Sequence, residues 1–244
     1  MSRTHLILFG GRGRMGRAIA EVASERDDVV VSDVIGRGDP LPAAPPAGSV
    51  LIDFSTAPAV VAAAKWCQEH RVPMVCGTTA LDDAALRAID LAAQSVAVMR
   101  ASNMSVGVAV LCKLVSQAAA ALGDEFDIEI VEAHHRAKID APSGTALSLV
   151  EAAKAGRGRG EMLCGRAGVT GARLDDHIGV SSVRGGSVVG DHTVMLLGPS
   201  ERVELVHRAD DRDIFARGAV RAALWVRDQP TGRYDMADVL GDVL

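Results

Sequence analysis

The sequence predicts an α/β protein: an N-terminal Rossmann-type dinucleotide-binding domain plus a C-terminal α+β domain with a mixed, mostly open sheet. Three observations carry this. Strand-like and helix-like segments alternate strictly as far as Met99. A glycine-rich loop, Gly10–Gly16, stands between the first apolar run and the first helix. After Ile178 the strands follow one another without helices between them.

Each element has its own signal. Leu6–Phe9 is a short apolar run ended by glycine, hence a buried strand. A helix is expected from Met15 to about Glu25, then a second buried strand, Val29–Ser32, ending at Asp33. Pro40, Pro42, Pro45 and Pro46 make residues 37–48 a loop, because proline suits neither helix interior nor central strand. Val50–Phe54 reads as a strand, and Ala59–Glu69 as a helix with Pro58 near its start. Val72–Cys76 (strand), Asp82–Gln94 (helix) and Val96–Met99 (strand) complete the alternation, which implies a parallel sheet.

From Ser105 to Leu122 one long Ala/Val/Leu helix is expected. Asp127–Ala133 alternates polar and apolar, like a half-buried strand. Ser143–Ala155 is helical, and residues 156–177, rich in glycine and charge, read as loop. Ile178–Val183, Ser187–Leu197 and Arg202–His207 read as strands, with Gly185-Gly186 as a hairpin turn and Gly198-Pro199 as a second turn. The last helix, Ile214–Asp228, suits either domain. The expected division is 1–104 for dinucleotide binding and 105–212 for substrate and oligomer contacts, with the tail 213–244 returning to the first.

Composition narrows the function. The chain has 244 residues, 48% hydrophobic and 23% charged, with a net charge of −5. That much apolar surface argues against disorder, and the negative balance against a general nucleic-acid binder. No CxxC pair occurs among Cys67, Cys76, Cys112 and Cys164, so small buried thiols in a reducing cytosol are expected. The first apolar run is too short for a signal segment, and no apolar stretch is expected to span a membrane. A cytoplasmic protein is the expectation. The chain has 25 Gly against 4 Phe, 2 Trp and 1 Tyr, so where the glycines sit is the first functional question.

Gly10-Gly11-Arg12-Gly13-Arg14-Met15-Gly16 fits GxGxxG through Gly11, Gly13 and Gly16. Such a loop needs one glycine for the turn, one for close approach of a pyrophosphate and one for helix–strand packing. The helix start then offers N–H groups and a positive dipole end to the anion. Asp33 stands at the usual distance for an acid that holds the adenosine ribose, which favours NAD. Arg37, with Arg12 and Arg14, suits a 2′-phosphate instead, so NADH and NADPH both stay open.

The densest chemistry runs from Glu132 through His134, His135, Arg136, Lys138 and Asp140 to Pro142-Ser143-Gly144-Thr145. A cationic loop beside a helix start offers two anion sites, which suits a small dicarboxylate. Histidine is the side chain best able to give a proton near neutrality, and lysine adds a cation or a second acid. His134 and Lys138 are therefore candidates to act from this loop rather than only to solvate it. A metal held by His134 and His135 with Glu132 and Asp140 is not expected, because adjacent strand residues point to opposite faces.

Together these segments resemble the 4-hydroxy-tetrahydrodipicolinate reductase (dihydrodipicolinate reductase) family. The resemblance covers Gly10–Gly16, Ile52-Asp53-Phe54-Ser55, Gly77-Thr78-Thr79, Ala101–Gly107 and, most specifically, Glu132–Lys138 with Asp140–Thr145. It implies a homotetramer of two-domain subunits that reduces a cyclic imine dicarboxylate with NADH or NADPH after loss of water, in lysine biosynthesis. It further implies His134 as general acid/base, Lys138 as proton donor, and His135, Gly144 and Thr145 as holders of the substrate carboxylates. Gly77, Thr78 and Thr79, with Ala101, Ser102, Asn103 and Met104, would line the nicotinamide side. The family often has an acid a few residues past the second strand, where Gly36 stands here. The alternatives are another amino-acid dehydrogenase and a nucleotide-sensing regulator. The His-His-Arg-x-Lys loop speaks against the first, and intact candidate catalytic residues against the second.

Overall fold

A computed structural model describes residues 3–241, so the outermost residues of the two expected chain ends, 1–2 and 242–244, lie outside it. The described chain forms two compact units. The first holds residues up to Val106 together with Asp213–Gly241, and the second Gly107–Arg212.

In the first unit the elements run β1 (Thr4–Phe9), α1 (Arg14–Ser24), β2 (Val29–Ile35), β3 (Ser49–Asp53), α2 (Ala57–His70), β4 (Met74–Cys76), α3 (Asp83–Ala92) and β5 (Ala97–Arg100). With β11 (Gly232–Tyr234) the sheet order is β11-β5-β4-β3-β1-β2, every neighbour parallel. Its sixth strand, Gly232–Tyr234, comes from the chain end and pairs with β5. Sequence periodicity misses this strand, because Gly-Arg-Tyr carries no apolar run. Ile7, Leu51, Met74 and Val98 point to one face, where α2 and α3 cover them. Residues of opposite parity, such as Leu6 and Ile52, are equally buried. Helix α6 (Asp213–Val226) packs against β3, β4 and β5 as well as against α1. The order reverses at β1, with β2 on one side and β3 on the other, and ligands of such sheets bind past the carboxyl ends of the strands at that switch.

The second unit holds α4 (Val106–Leu122), β6 (Asp127–His134), α5 (Gly144–Arg157), β7 (Glu161–Cys164), β8 (His177–Arg184), β9 (Gly190–Leu197) and β10 (Arg202–Ala209). Its sheet order is β10-β9-β6-β8-β7 and it is mixed: β6 runs parallel to β8 and antiparallel to β9. The chain then returns to the first unit through α6 (Asp213–Val226), β11 (Gly232–Tyr234) and α7 (Met236–Leu240).

Three expectations change here. Residues 156–177 contain the strand β7, whose side chains are largely exposed and so lack an apolar signature. Gly185-Gly186 does not close a hairpin, since β6 lies between β8 and β9. The turn instead passes the end of β6: Gly185 donates to the His134 carbonyl at 3.0 Å, and Arg136 donates to that of Gly186 at 3.2 Å. Third, Val106–Glu125 is long and apolar enough to span a bilayer by length and composition, at a mean hydropathy of 1.7. One stripe of it, Leu111, Val115 and Ala119, is buried in the core of the second unit with Ile128, Ile130 and Leu149.

The helices α4 and α5 cover one face of this second sheet. Side chains of the other parity, among them Val131, Met195, Val183 and Val206, remain half-buried or exposed.

Candidate active site

The loops at the carboxyl ends of β1, β2 and β3 enclose a cavity of about 370 Å³. Gly10, Arg12, Gly13, Arg37, Asp39, Phe54 and Ser55 are among its lining residues. Gly10 has φ +76°, and a Cβ there would stand 2.4 Å from the Phe54 carbonyl oxygen. At Gly16 a Cβ would fall 2.4 Å from the Gly11 Cα, so only glycine lets α1 lie this close to the turn. No side chain caps α1 at Gly13, and its first turn carries no acid. Its N–H groups and the adjoining guanidinium groups therefore suit a pyrophosphate. The residues present fit a dinucleotide.

The other expected cofactor residues are distributed unevenly. Gly11 is buried below the turn, while Arg14 and Met15 form the start of α1. Asp33 lies within β2, two residues before its end, and is not among the cavity's lining residues. The acid at the cavity is Asp39, which ion-pairs with Arg12 at 2.7 Å and accepts from the Gly36 N–H at 2.9 Å. The signal was present in the sequence as an acid shortly past the second strand. Gly77, Thr78 and Thr79 follow β4, and Ala101–Met104 follow β5, at the same edge of the sheet. Ala101 donates to the Cys76 carbonyl at 3.2 Å. Met104 is buried, whereas Ser102 and Thr79 are exposed.

Asp53, quoted in the resemblance without a role, ties two of these loops together. It is fully buried; its Oδ1 accepts from Ser55 N at 2.8 Å and from Thr78 Oγ1 at 3.2 Å. Burial raises its carboxyl to about 6, against the hydrogen bonds from Ser55 and Thr78.

In the second unit, β6 alternates so that Ile128, Ile130, Glu132 and His134 all face the helices. The strand thus carries its core row into a polar end. His134 Nδ1 lies 2.6 Å from Glu132 Oε2. Arg184 grips both oxygens of that carboxylate, at 2.7 and 2.8 Å. Burial pushes Glu132 up, but hydrogen bonds from Arg184, Ser182 and His134 outweigh it and hold it at about 2. His135 receives Arg212 at 3.1 Å on Nε2. Lys138 pairs with Asp140 at 2.9 Å.

Ser143 caps α5: its Oγ accepts from Ala146 N at 3.1 Å and lies 3.1 Å from His192 Nε2. Gly144 and Thr145 are then the first two helical residues, and no acid sits in that turn. Burial, and then the neighbouring His134, push His192 down to about 4, so it is neutral near pH 7 and shares one proton with the Ser143 hydroxyl. No local sequence signal marks Arg184 or His192. Only the strand register sets Arg184 opposite His134 and His192 opposite Glu132. In sum, the second unit offers a carboxylate-backed histidine, a lysine and a helix start, which together can protonate a small dicarboxylate.

Comparison with known proteins covers nearly the whole chain. Residues 4–104 match the family model described as dihydrodipicolinate reductase, N-terminus, and residues 107–240 that described as dihydrodipicolinate reductase, C-terminus. The chain is 45% identical to the 4-hydroxy-tetrahydrodipicolinate reductase of Halorhodospira halophila, covering 96% of this chain and 97% of that one. It is 48% identical to that of Zymomonas mobilis, covering 96% of each. In fold it is similar to the dipicolinate-bound dihydrodipicolinate reductase of Paenisporosarcina sp. TG-14, with a TM-score of 0.76 at 22% identity, over 96% of this chain and 97% of that one.

Proposed function

The chain belongs to the dihydrodipicolinate reductase family, and from that premise we propose how its residues divide the reaction. The reaction is NAD(P)H-dependent reduction of 4-hydroxy-tetrahydrodipicolinate to tetrahydrodipicolinate plus water, in the diaminopimelate route of lysine biosynthesis. A bound reduced nicotinamide supplies the hydride. Once the conjugated imine is reduced, an electron-rich ring carbon must gain a proton; His134 delivers it from Nε2 of the doubly protonated ring and is left neutral with its remaining proton on Nδ1. The observation that carries this assignment is the 2.6 Å contact of His134 Nδ1 with buried Glu132, which leaves the other ring nitrogen for the substrate. Lys138 adds positive charge and a second donor. His135, Gly144 and Thr145 hold the carboxylates, with the α5 dipole favouring the anion.

In the first unit, Gly10, Gly13, Arg14 and Met15 hold the pyrophosphate, and Gly11, whose N–H is donated to the Ile35 carbonyl, supports the turn from below. The cavity carries both an acid, Asp39, and cations, Arg12 and Arg37, which supports use of NADH and of NADPH. Asp39 takes the ribose role first expected of Asp33. Gly77, Thr78, Thr79 and Ala101–Met104 border the nicotinamide. The uncovered face of the second sheet supports a homotetramer. All four cysteines are free thiols, in keeping with the cytoplasm. The test is a coupled assay with freshly made substrate, run with each nicotinamide in turn. Oxidation of NADH, NADPH or both is expected, and oxidation of neither rejects the reading.

A further inference from the structure

Glu132 is a buried charge that binds more of the site than His134 alone. Its side chain is wholly inaccessible, and Arg184's is one-fifth exposed. The two make a fork-to-fork pair, both oxygens against both terminal nitrogens. Each oxygen has a second task. Oε2 meets His134 Nδ1, while Oε1 accepts from Ser143 N at 3.2 Å, the residue that caps α5. Arg184 Nη2 also donates to the Asp140 carbonyl at 2.7 Å, and Asp140 holds Lys138. One ion pair therefore touches the histidine, the helix start and the lysine loop.

Resting on the assignment of His134 above, we propose that Glu132 and Arg184 are positioning residues for this reaction. The pair keeps the His134 proton on Nδ1 in the neutral ring and turns Nε2 toward the substrate. Every donor around Glu132 finds an acceptor only if both its oxygens are acceptors. With His134 Nδ1 committed as a donor, Nε2 is the atom left to exchange protons. Space exists beside it: a Cβ on Gly190 would stand 3.0 Å from His134 Nε2, so the glycine leaves that nitrogen uncrowded. Arg184 keeps the carboxylate ionised and fixed, since a buried carboxylate without a partner would be costly.

The sharpest variant is Glu132→Gln. Its amide nitrogen would meet an Arg184 N–H at either oxygen position; at the Oε2 position it also faces His134 Nδ1, which can become an acceptor, and the Ser182 hydroxyl that bonds the carboxylate can turn to suit. The neutral histidine should then switch its proton to Nε2. Three readouts apply: kcat and KM, cofactor Kd by fluorescence titration, and the ¹⁵N–¹H long-range spectrum of the histidine rings, assigned against His134→Gln. We expect kcat to fall at least tenfold, cofactor Kd to stay within twofold, and the His134 resonances to move from the Nδ1–H to the Nε2–H pattern. Retained kcat within threefold, or a persistent Nδ1–H pattern, overturns the proposal. If Glu132→Gln does not fold, Arg184→Lys carries the test, since a single amine cannot grip both oxygens. Its kcat should fall at least threefold with cofactor Kd unchanged, and an unchanged kcat overturns the proposal. An inactive wild-type protein would instead reject the assigned reaction, and the tautomer spectrum would still decide this point.

Discussion

Arg12 and Asp39 are paired at 2.7 Å, and both line the cavity past the end of β2. A 2′-phosphate entering there would meet Asp39 as a like charge and compete with it for Arg12. Asp39→Asn should therefore raise the ratio of kcat/KM for NADPH over NADH about tenfold, or ~1.4 kcal/mol. An unchanged ratio would show that Asp39 does not face the ribose.

His134→Gln removes the proposed proton donor and leaves the dinucleotide cradle, which lies in the other unit, intact. General acid catalysis is worth about 10²–10⁴ in rate, so kcat should drop by that order while cofactor Kd holds. Equal loss of both would make His134 structural.

For Lys138→Ala the expected loss is also in kcat, about tenfold or more. Its partner Asp140 is held below the usual carboxylate range, first by the Lys138 hydrogen bond. Steady-state kinetics decide: an unchanged rate removes Lys138 from the site.

The buried Asp53 carboxyl carries a pH signature. Its folded value, about 6, lies above its ordinary 3.8, so the folded state holds the proton more tightly. That stabilisation is fully present below about pH 4 and is lost as pH rises through about 6, an effect on the order of 3 kcal/mol. Urea unfolding across this range should show the decline in the wild type and a flatter curve in Asp53→Asn. Its amide oxygen can keep the Ser55 and Thr78 bonds while its nitrogen takes the place of Oδ2. Parallel curves would refute a raised Asp53.

Oligomeric state is tested on the open sheet face. Val183 and Val206 are 52% and 43% exposed in the single chain. Val206→Glu should shift sedimentation from a tetramer toward smaller species, because a charge buried at an interface is costly. A wild-type monomer would refute the assembly, and an unshifted variant would remove Val206 from the contact.

How far the sequence reaches can be judged from particular residues. Apolar runs between glycines and prolines locate β1, β3 and β5 to within one or two residues, because a buried parallel strand must be continuously apolar. The glycine loop was equally legible from its spacing between a strand and a helix, and the structure adds the steric reasons: the Phe54 carbonyl at Gly10 and the Gly11 backbone at Gly16. β7 and β11 were not legible: both are short edge strands with little to bury, and pairing alone defines them. The Gly185-Gly186 turn was misread because local turn chemistry cannot say which strand inserts between two others.

The sequence by itself therefore determined the parallel sheet, and marked the glycine loop and the His134–Lys138 segment as candidates. The first is legible from periodicity, and the others from motifs of residues adjacent in the chain. Only the tertiary structure decided that β6 lies between β8 and β9, and hence that Arg184 and His192 flank the row of Glu132 and His134. It likewise set Asp39, rather than Asp33, at the cavity. The physical reason is register: a shift of one residue turns a side chain to the opposite face of a sheet, and register is fixed by packing distant in sequence.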